Sequence, residues 1–151
     1  MRRIILGIAA GAIALMGSPA TPALAEVLIT EAEAKLPASP NVSMAMRGLT
    51  RGPGIQQMSP SPNRGVKSPL PLKIKFLIRN KVAIDPESVK LTYLKLKPVD
   101  LTERIRKHLT PDGIEMNEAE VPPGTHTLRL DLRDQRGRSG TAIIKLTVSG
   151  K

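Results

Sequence analysis

Apolar and polar residues take turns, one by one, along two neighbouring stretches near the end of this chain. His126, Leu128, Leu130 and Leu132 alternate with Thr127, Arg129, Asp131 and Arg133, and Ala142, Ile144, Leu146 and Val148 repeat the pattern after a break. Side chains of an extended strand point to opposite faces in succession. The period therefore fits a half-buried β-strand and no helix, whose apolar positions recur every three or four residues. Between the stretches, Asp134-Gln135-Arg136-Gly137-Arg138 supplies turn residues, with Gly137 able to adopt a positive φ. The two stretches predict a hairpin with one oily face, which a second layer of strands has to cover.

The same texture begins at Gly54. Ile55 to Met58 is predicted as a short strand closed by Ser59-Pro60-Ser61-Pro62-Asn63. Leu70 to Ile78 follows, with Leu70, Leu72, Ile74, Phe76 and Ile78 on one face and Lys73, Lys75 and Arg79 on the other. Asn80 to Pro86 reads as a turn, and Ser88 to Leu96 as a strand with Val89, Leu91 and Tyr93 inward and Lys90, Thr92 and Leu94 outward. Asp100 to Leu109 breaks the rhythm and predicts a short helix, capped by Asp100, with Glu103 in the capping-box position and Leu101, Ile105, His108 and Leu109 on its apolar side. Ile114 to Val121 is a further strand, rich in glutamate.

The start of the chain has another character. Arg2 and Arg3 precede the 13-residue apolar run Ile4–Met16, and Ala23-Leu24-Ala25 is a small-x-small site. That layout predicts a secretory signal peptide over residues 1–25, since a membrane-spanning helix needs roughly 20 apolar residues. Cleavage after Ala25 leaves 126 of the 151 residues, in a periplasmic or secreted location. Residues 26–52 read as a flexible arm. Thr30 and Glu33 have capping-box spacing for a two-turn helix ended by Pro37, and prolines, serines and glycines follow without a period. Residues 53–151 form the folded domain.

Pro122-Pro123-Gly124-Thr125-His126-Thr127-Leu128-Arg129-Leu130-Asp131-Leu132-Arg133-Asp134, with Gly137 and Thr141 to Val148, resembles the closing hairpin of bacterial immunoglobulin-like domains. Gly54-Ile55 through Ser59-Pro60, Val66 and Ser68-Pro69-Leu70 through Phe76 resembles their opening, so the likeness spans roughly residues 53 to 148. It implies an all-β, immunoglobulin-like antiparallel sandwich with a short helical insert at about 100–109 and an irregular N-terminal arm. Domains of this kind serve adhesion, polysaccharide binding, spacing and envelope assembly, and the fold does not choose among them.

Composition narrows the chemistry. With no cysteine there are no disulfides, thiolate metal sites or lipid-bearing cysteine, and with one tyrosine, one phenylalanine and no tryptophan there are no aromatic stacking platforms. Taking Arg2 and Arg3 from the 23 basic residues leaves 21 against 13 acidic ones, a mature charge of +8 that favours anionic partners. Export makes nucleic acid a poor partner and envelope polyanions good ones. No nucleophile elbow, phosphate-cradling loop or paired carboxylate is present, so no enzymatic activity and no cofactor are expected. His108 and His126 sit in different elements, and His126 is expected as a satisfied, part-buried imidazole. Met44, Met46, Met58 and Met116 lack a histidine cluster; thioethers suit Cu(I), which keeps a small periplasmic copper carrier as a second reading, although no metal site is assigned. A non-catalytic accessory subunit of an envelope enzyme complex is the third.

The primary expectation is a non-catalytic binding or scaffold module of the bacterial cell envelope. If Thr92, Arg129 and Lys145 lie in neighbouring strands of one sheet, then Lys90, Leu94, Arg129, Arg133, Ile143 and Lys145 share its outward face. Basic ends with Leu94 and Ile143 exposed between them suit an envelope protein or an anionic envelope polymer.

Overall fold

A computed structural model of the chain describes residues 24–40 and 51–150. The expected signal peptide, apart from Leu24 and Ala25, and the Met44-x-Met46 pair lie outside the described residues. The elements in chain order are β1 (Glu26–Val27), α1 (Glu31–Ala34), β2 (Gly54–Ser59), β3 (Leu70–Leu77), β4 (Ile84–Tyr93), β5 (Val99–Asp100), α2 (Thr102–Arg106), β6 (Leu109–Thr110), β7 (Gly113–Glu120), β8 (Gly124–Asp134) and β9 (Ser139–Val148). They form an all-β sandwich of two sheets. The first runs β1-β7-β3-β2, with β6 also on the outer edge of β7, and the second runs β5-β4-β8-β9.

Alternation decides which side chains fill the space between the sheets. Leu70, Leu72, Ile74 and Phe76 of β3 face Val89, Leu91 and Tyr93 of β4, Leu128, Leu130 and Leu132 of β8, and Ile144, Leu146 and Val148 of β9 in a single core. Burying each such side chain contributes on the order of 1.5–3 kcal/mol, which makes this core the main source of stability in a chain without disulfides. The β8–β9 hairpin forms as the pattern predicts, in unbroken register from Gly124↔Val148 to Arg133↔Ser139.

Three boundaries differ from the sequence reading. Ile78, expected inward, is 44% exposed, because β3 ends at Leu77 and the interior closes at Phe76. The turn before β4 is shorter than expected, since Ile84 and Asp85 already pair with Asp134 and Arg133. The register then jumps to Lys90↔Asp131, so β4 carries three more residues than β8 across that interval, and this bulge re-aims its outer side chains. The predicted helix is only its middle part: Asp100 belongs to β5 and Leu109 to β6. Asp100 still accepts from Thr102 N at 2.9 Å, but Glu103 turns to Arg106 instead of closing a capping box.

Residues 26–38, read from the sequence as part of an arm, are bound into the sandwich. β1 pairs in parallel with the end of β7, Leu28 and Ile29 both donate their N–H to Glu120 O, and the two side chains are 0% and 1% exposed. The α1 capping box closes as its spacing predicts, Glu33 N to Thr30 Oγ1 and Thr30 N to Glu33 Oε2. Long side chains from the middle of the protein then clamp the segment. Arg104 of α2 makes a bidentate pair with Glu33 at 2.7 and 2.8 Å and also donates to Leu28 O. Lys95 donates to Ala34 O and Leu36 O, the open carbonyls at the end of α1.

The outer edge of β9 is covered near both of its ends. Gly140 lies so close to Pro53 that a Cβ there would stand 2.2 Å from Pro53 O. Gln57 exchanges side-chain hydrogen bonds with Lys145 N and O, and Val66 N donates to Thr147 O while Ser149 N donates to Val66 O.

Candidate binding face

The sequence placed six residues on one outward sheet face, and the strand order brings them there. β4, β8 and β9 are neighbours in the second sheet. Lys90, Asp131 and Thr141 form one cross-strand row, and Thr92, Arg129 and Ile143 the next. Leu94, Thr127 and Lys145 form a third, with Leu94 N donating to Thr127 O. Arg133 stands at the upper end, beside Ser88 of the bulge, whose hydroxyl accepts from Arg133 N at 2.8 Å.

Lys90, Arg129, Arg133 and Lys145 are exposed, whereas Leu94 and Ile143, expected to be open, are half-buried. Cross-strand neighbours on one face stand close enough to shade one another, and Ile143 lies opposite the long Arg129 side chain. The apolar component of this face is therefore smaller than the sequence implies.

The charges are also unequal. Arg129 Nε lies 2.9 Å from the Asp131 carboxylate, which accepts from Thr141 Oγ1 at 2.7 Å as well, so the Arg129 charge is largely answered within its own strand. Lys90 Nζ reaches Asp100 only at 3.9 Å. The Thr102 hydroxyl and N–H bonds, with Lys90 and Arg106 nearby, hold the Asp100 carboxyl below its ordinary range. Arg133 and Lys145 make no ion pair among the described residues. A shallow depression of about 500 Å³ opens where the β4 bulge departs from β8, lined by Ser88, Lys90, Arg129, Asp131, Arg133 and Thr141. Ser88 is the member that sequence reasoning passed over, although it stands two residues before Lys90, in phase with the outward set.

The two histidines serve separate structural pairs. His126 is 3% exposed, with Nδ1 2.7 Å from Tyr93 Oη and Nε2 2.8 Å from Pro122 O. With Nε2–H donating to the carbonyl, Nδ1 accepts the tyrosine proton, and both ring nitrogens are satisfied in the neutral form. Burial pushes the His126 pKa down, against the Pro122 bond, which raises it. His108 pairs with Glu26 at 2.7 Å. Met116 is a core residue while Met58 is half exposed on β2, so these two do not form a thioether pair. Among the described residues no three His, Asp or Glu side chains converge in a metal-holding group, and no helix is long and apolar enough to cross a membrane.

Comparison with known proteins finds no match: no family model fits the sequence, and neither a curated protein nor a solved structure is similar to it.

Proposed function

We propose that this protein is a non-catalytic, exported binding or scaffold module of the bacterial cell envelope, immunoglobulin-like in design, that engages an anionic polymer or protein through the outer face of β4, β8 and β9. The strand order supports the immunoglobulin-like part of the reading: β2, β3 and β7 lie together in one sheet and β4, β8 and β9 in the other. The observation that carries the function is the excess of cations on that face. Lys90, Arg129, Arg133 and Lys145 project from it, only Asp131 and Asp100 answer them, and Arg133 and Lys145 stay unpaired among the described residues. A rigid sheet fixes the spacing of these cations, so that only their side chains, and not the backbone, have to be ordered when an anion arrives.

Arg133→Glu combined with Lys145→Glu tests it. Retention on anionic envelope polymer, or recovery of a partner from envelope extract, is expected to fall at least roughly tenfold for two reversed charges. Unchanged retention of a variant with unchanged circular dichroism refutes the face as the binding surface. No specific observation favours the copper carrier or the accessory subunit.

A further inference from the structure

A second surface of different chemistry sits at one end of the sandwich. The turn after β3 and the reversal between β8 and β9 lie side by side: Gln135 N donates to Ala83 O at 3.0 Å, and Arg138 Nη2 to Arg79 O at 3.5 Å. The chain entering β2 joins them, because a Cβ at Gly52 would lie 2.0 Å from Ser139 O, which sets Arg51 beside the two turns. Arg51, Arg79, Lys81, Arg136 and Arg138 therefore meet at this end with two carboxylates close by, Asp134 and, opposite Arg133, Asp85. Asp134 is already committed, accepting from Arg136 N, Arg138 N and Arg138 Nε. Asp112 approaches from the far side of β3, where its carbonyl accepts from Phe76 N. Arg51, Arg79, Lys81 and Arg136 are exposed and form no ion pair among the described residues.

Two bare apolar side chains are set among these cations. Leu77 and Ile78 are 42% and 44% exposed, and no other large exposed apolar residues among those described are adjacent in sequence. They lead directly into a tight turn in which Val82 N donates to Arg79 O, with Asn80 at φ 55° and Lys81 at φ 57°. Two successive positive φ values favour asparagine followed by glycine, and here the second place is held by a lysine. Glycine would take that backbone more easily and would carry no charge.

A soluble polyanion would need only the cations. Exposed aliphatic side chains that lead into a turn carrying unpaired cations match a surface that is anionic outside and apolar a few ångströms in. We infer that the Leu77–Lys81 turn, together with Arg51 and Arg136, docks on an anionic phospholipid bilayer. Leu77 and Ile78 enter the boundary between headgroups and acyl chains, and the cations face the phosphates. This surface adjoins the Arg133 end of the sheet face but uses none of the residues proposed there.

The protein has no tryptophan, so Ile78→Trp places a single reporter at the turn. With phosphatidylglycerol-containing vesicles its emission is expected to move to shorter wavelength and to be quenched by brominated acyl chains. Pure phosphatidylcholine vesicles are expected to leave it unchanged. Leu96→Trp, at the opposite end of the sandwich, is expected to remain solvent-like throughout. Adding Arg79→Gln, Lys81→Gly and Arg136→Gln to the reporter chain is expected to weaken reporter partitioning roughly a hundredfold, at about fivefold per cation. The glycine accepts the left-handed backbone, so this variant retains the turn. A reporter that stays solvent-like with anionic vesicles, even if the chain binds them, overturns the inference, because another segment is then responsible. So does a shift unaffected by the three neutralising changes. Capture of soluble polyphosphate without any shift in vesicles also overturns it, since charge alone is then being read.

Discussion

The β8–β9 hairpin and the segment Glu26–Ala38 are both built into the same core, yet different physics holds each one. The hairpin is secured by its own alternation: eight inward side chains on two strands, a reversal closed by Asp134, and a continuous ladder. The N-terminal segment has only two residues of strand and four of helix, too little to persist alone. It is held by Leu28 and Ile29 in the core and by Arg104 and Lys95 arriving from residues 59 to 76 positions away. Local pattern builds the first region; distant side chains reaching backbone carbonyls build the second.

Truncations in the core separate the two most strongly. Leu130→Ala in the hairpin is expected to cost about 3–5 kcal/mol in chemical denaturation, because the fully enclosed site cannot collapse around the missing atoms. Leu28→Ala is expected to cost about 2–4 kcal/mol, the smaller end applying if the short segment can shift to fill the space. A loss below about 1 kcal/mol at Leu28, within the range of surface substitutions, would show that the segment is not part of the cooperative unit.

Acid distinguishes them next. Burial lowers the His126 pKa from its ordinary 6.5, so the unfolded chain takes up this proton first. Stability present above pH 6.5 is therefore lost as pH falls below it, until the folded histidine itself titrates. His126→Asn, which has no titrating ring, is expected to flatten that part of a melting-temperature profile. Glu33 responds in a lower window. The Arg104 guanidinium holds its carboxyl down from 4.5 to about 2, so its contribution is complete above pH 4.5 and disappears as pH falls toward 2. Arg104→Ala is expected to remove most of that slope and to cost about 1–3 kcal/mol at neutral pH, leaving Glu33 with the Thr30 N–H alone and Leu28 O without the guanidinium. An unchanged slope would mean that the clamp contributes nothing in solution.

The smallest effect belongs to the reversal loop. Gly137 sits at φ 76° with nothing within 4 Å of a Cβ, so Gly137→Ala meets no clash and is charged only for the left-handed backbone, about 1 kcal/mol. The resulting melting shift should be independent of pH from 2 to 8, unlike the two above.

What could be read from the sequence follows the same division. The hairpin, β3, the inward set of β4 and the Thr30–Glu33 capping box are local signals, and each is present. The β4 bulge is not legible, because Pro86-Glu87-Ser88 simply interrupts the alternation and nothing nearby says where pairing resumes. Nor is the Glu33–Arg104 pair, whose members are 71 residues apart. The sheet face was legible as a set, since alternation fixes which side chains point outward once strands are neighbours. Its charge balance was less so, although Arg129 and Asp131, two apart on one face, already carry the information. The turn at Leu77–Lys81 could not be assembled from sequence, because it depends on where β3 leaves the sheet and on three separate segments converging.

The occupied edge of β9 limits how this protein can associate with itself. The last two strands form the longest continuous ladder of the fold, and an open edge there would invite a second copy to extend the sheet. Pro53, Gln57 and Val66 already occupy that seam at Gly140, Lys145 and Thr147. The stretch of β7 left between β6 and β1 is short, and Glu115 N there already donates to His108 O. Concentrated solutions should therefore resist fibril growth by strand addition, in a chain that has no cysteine to form a protecting disulfide.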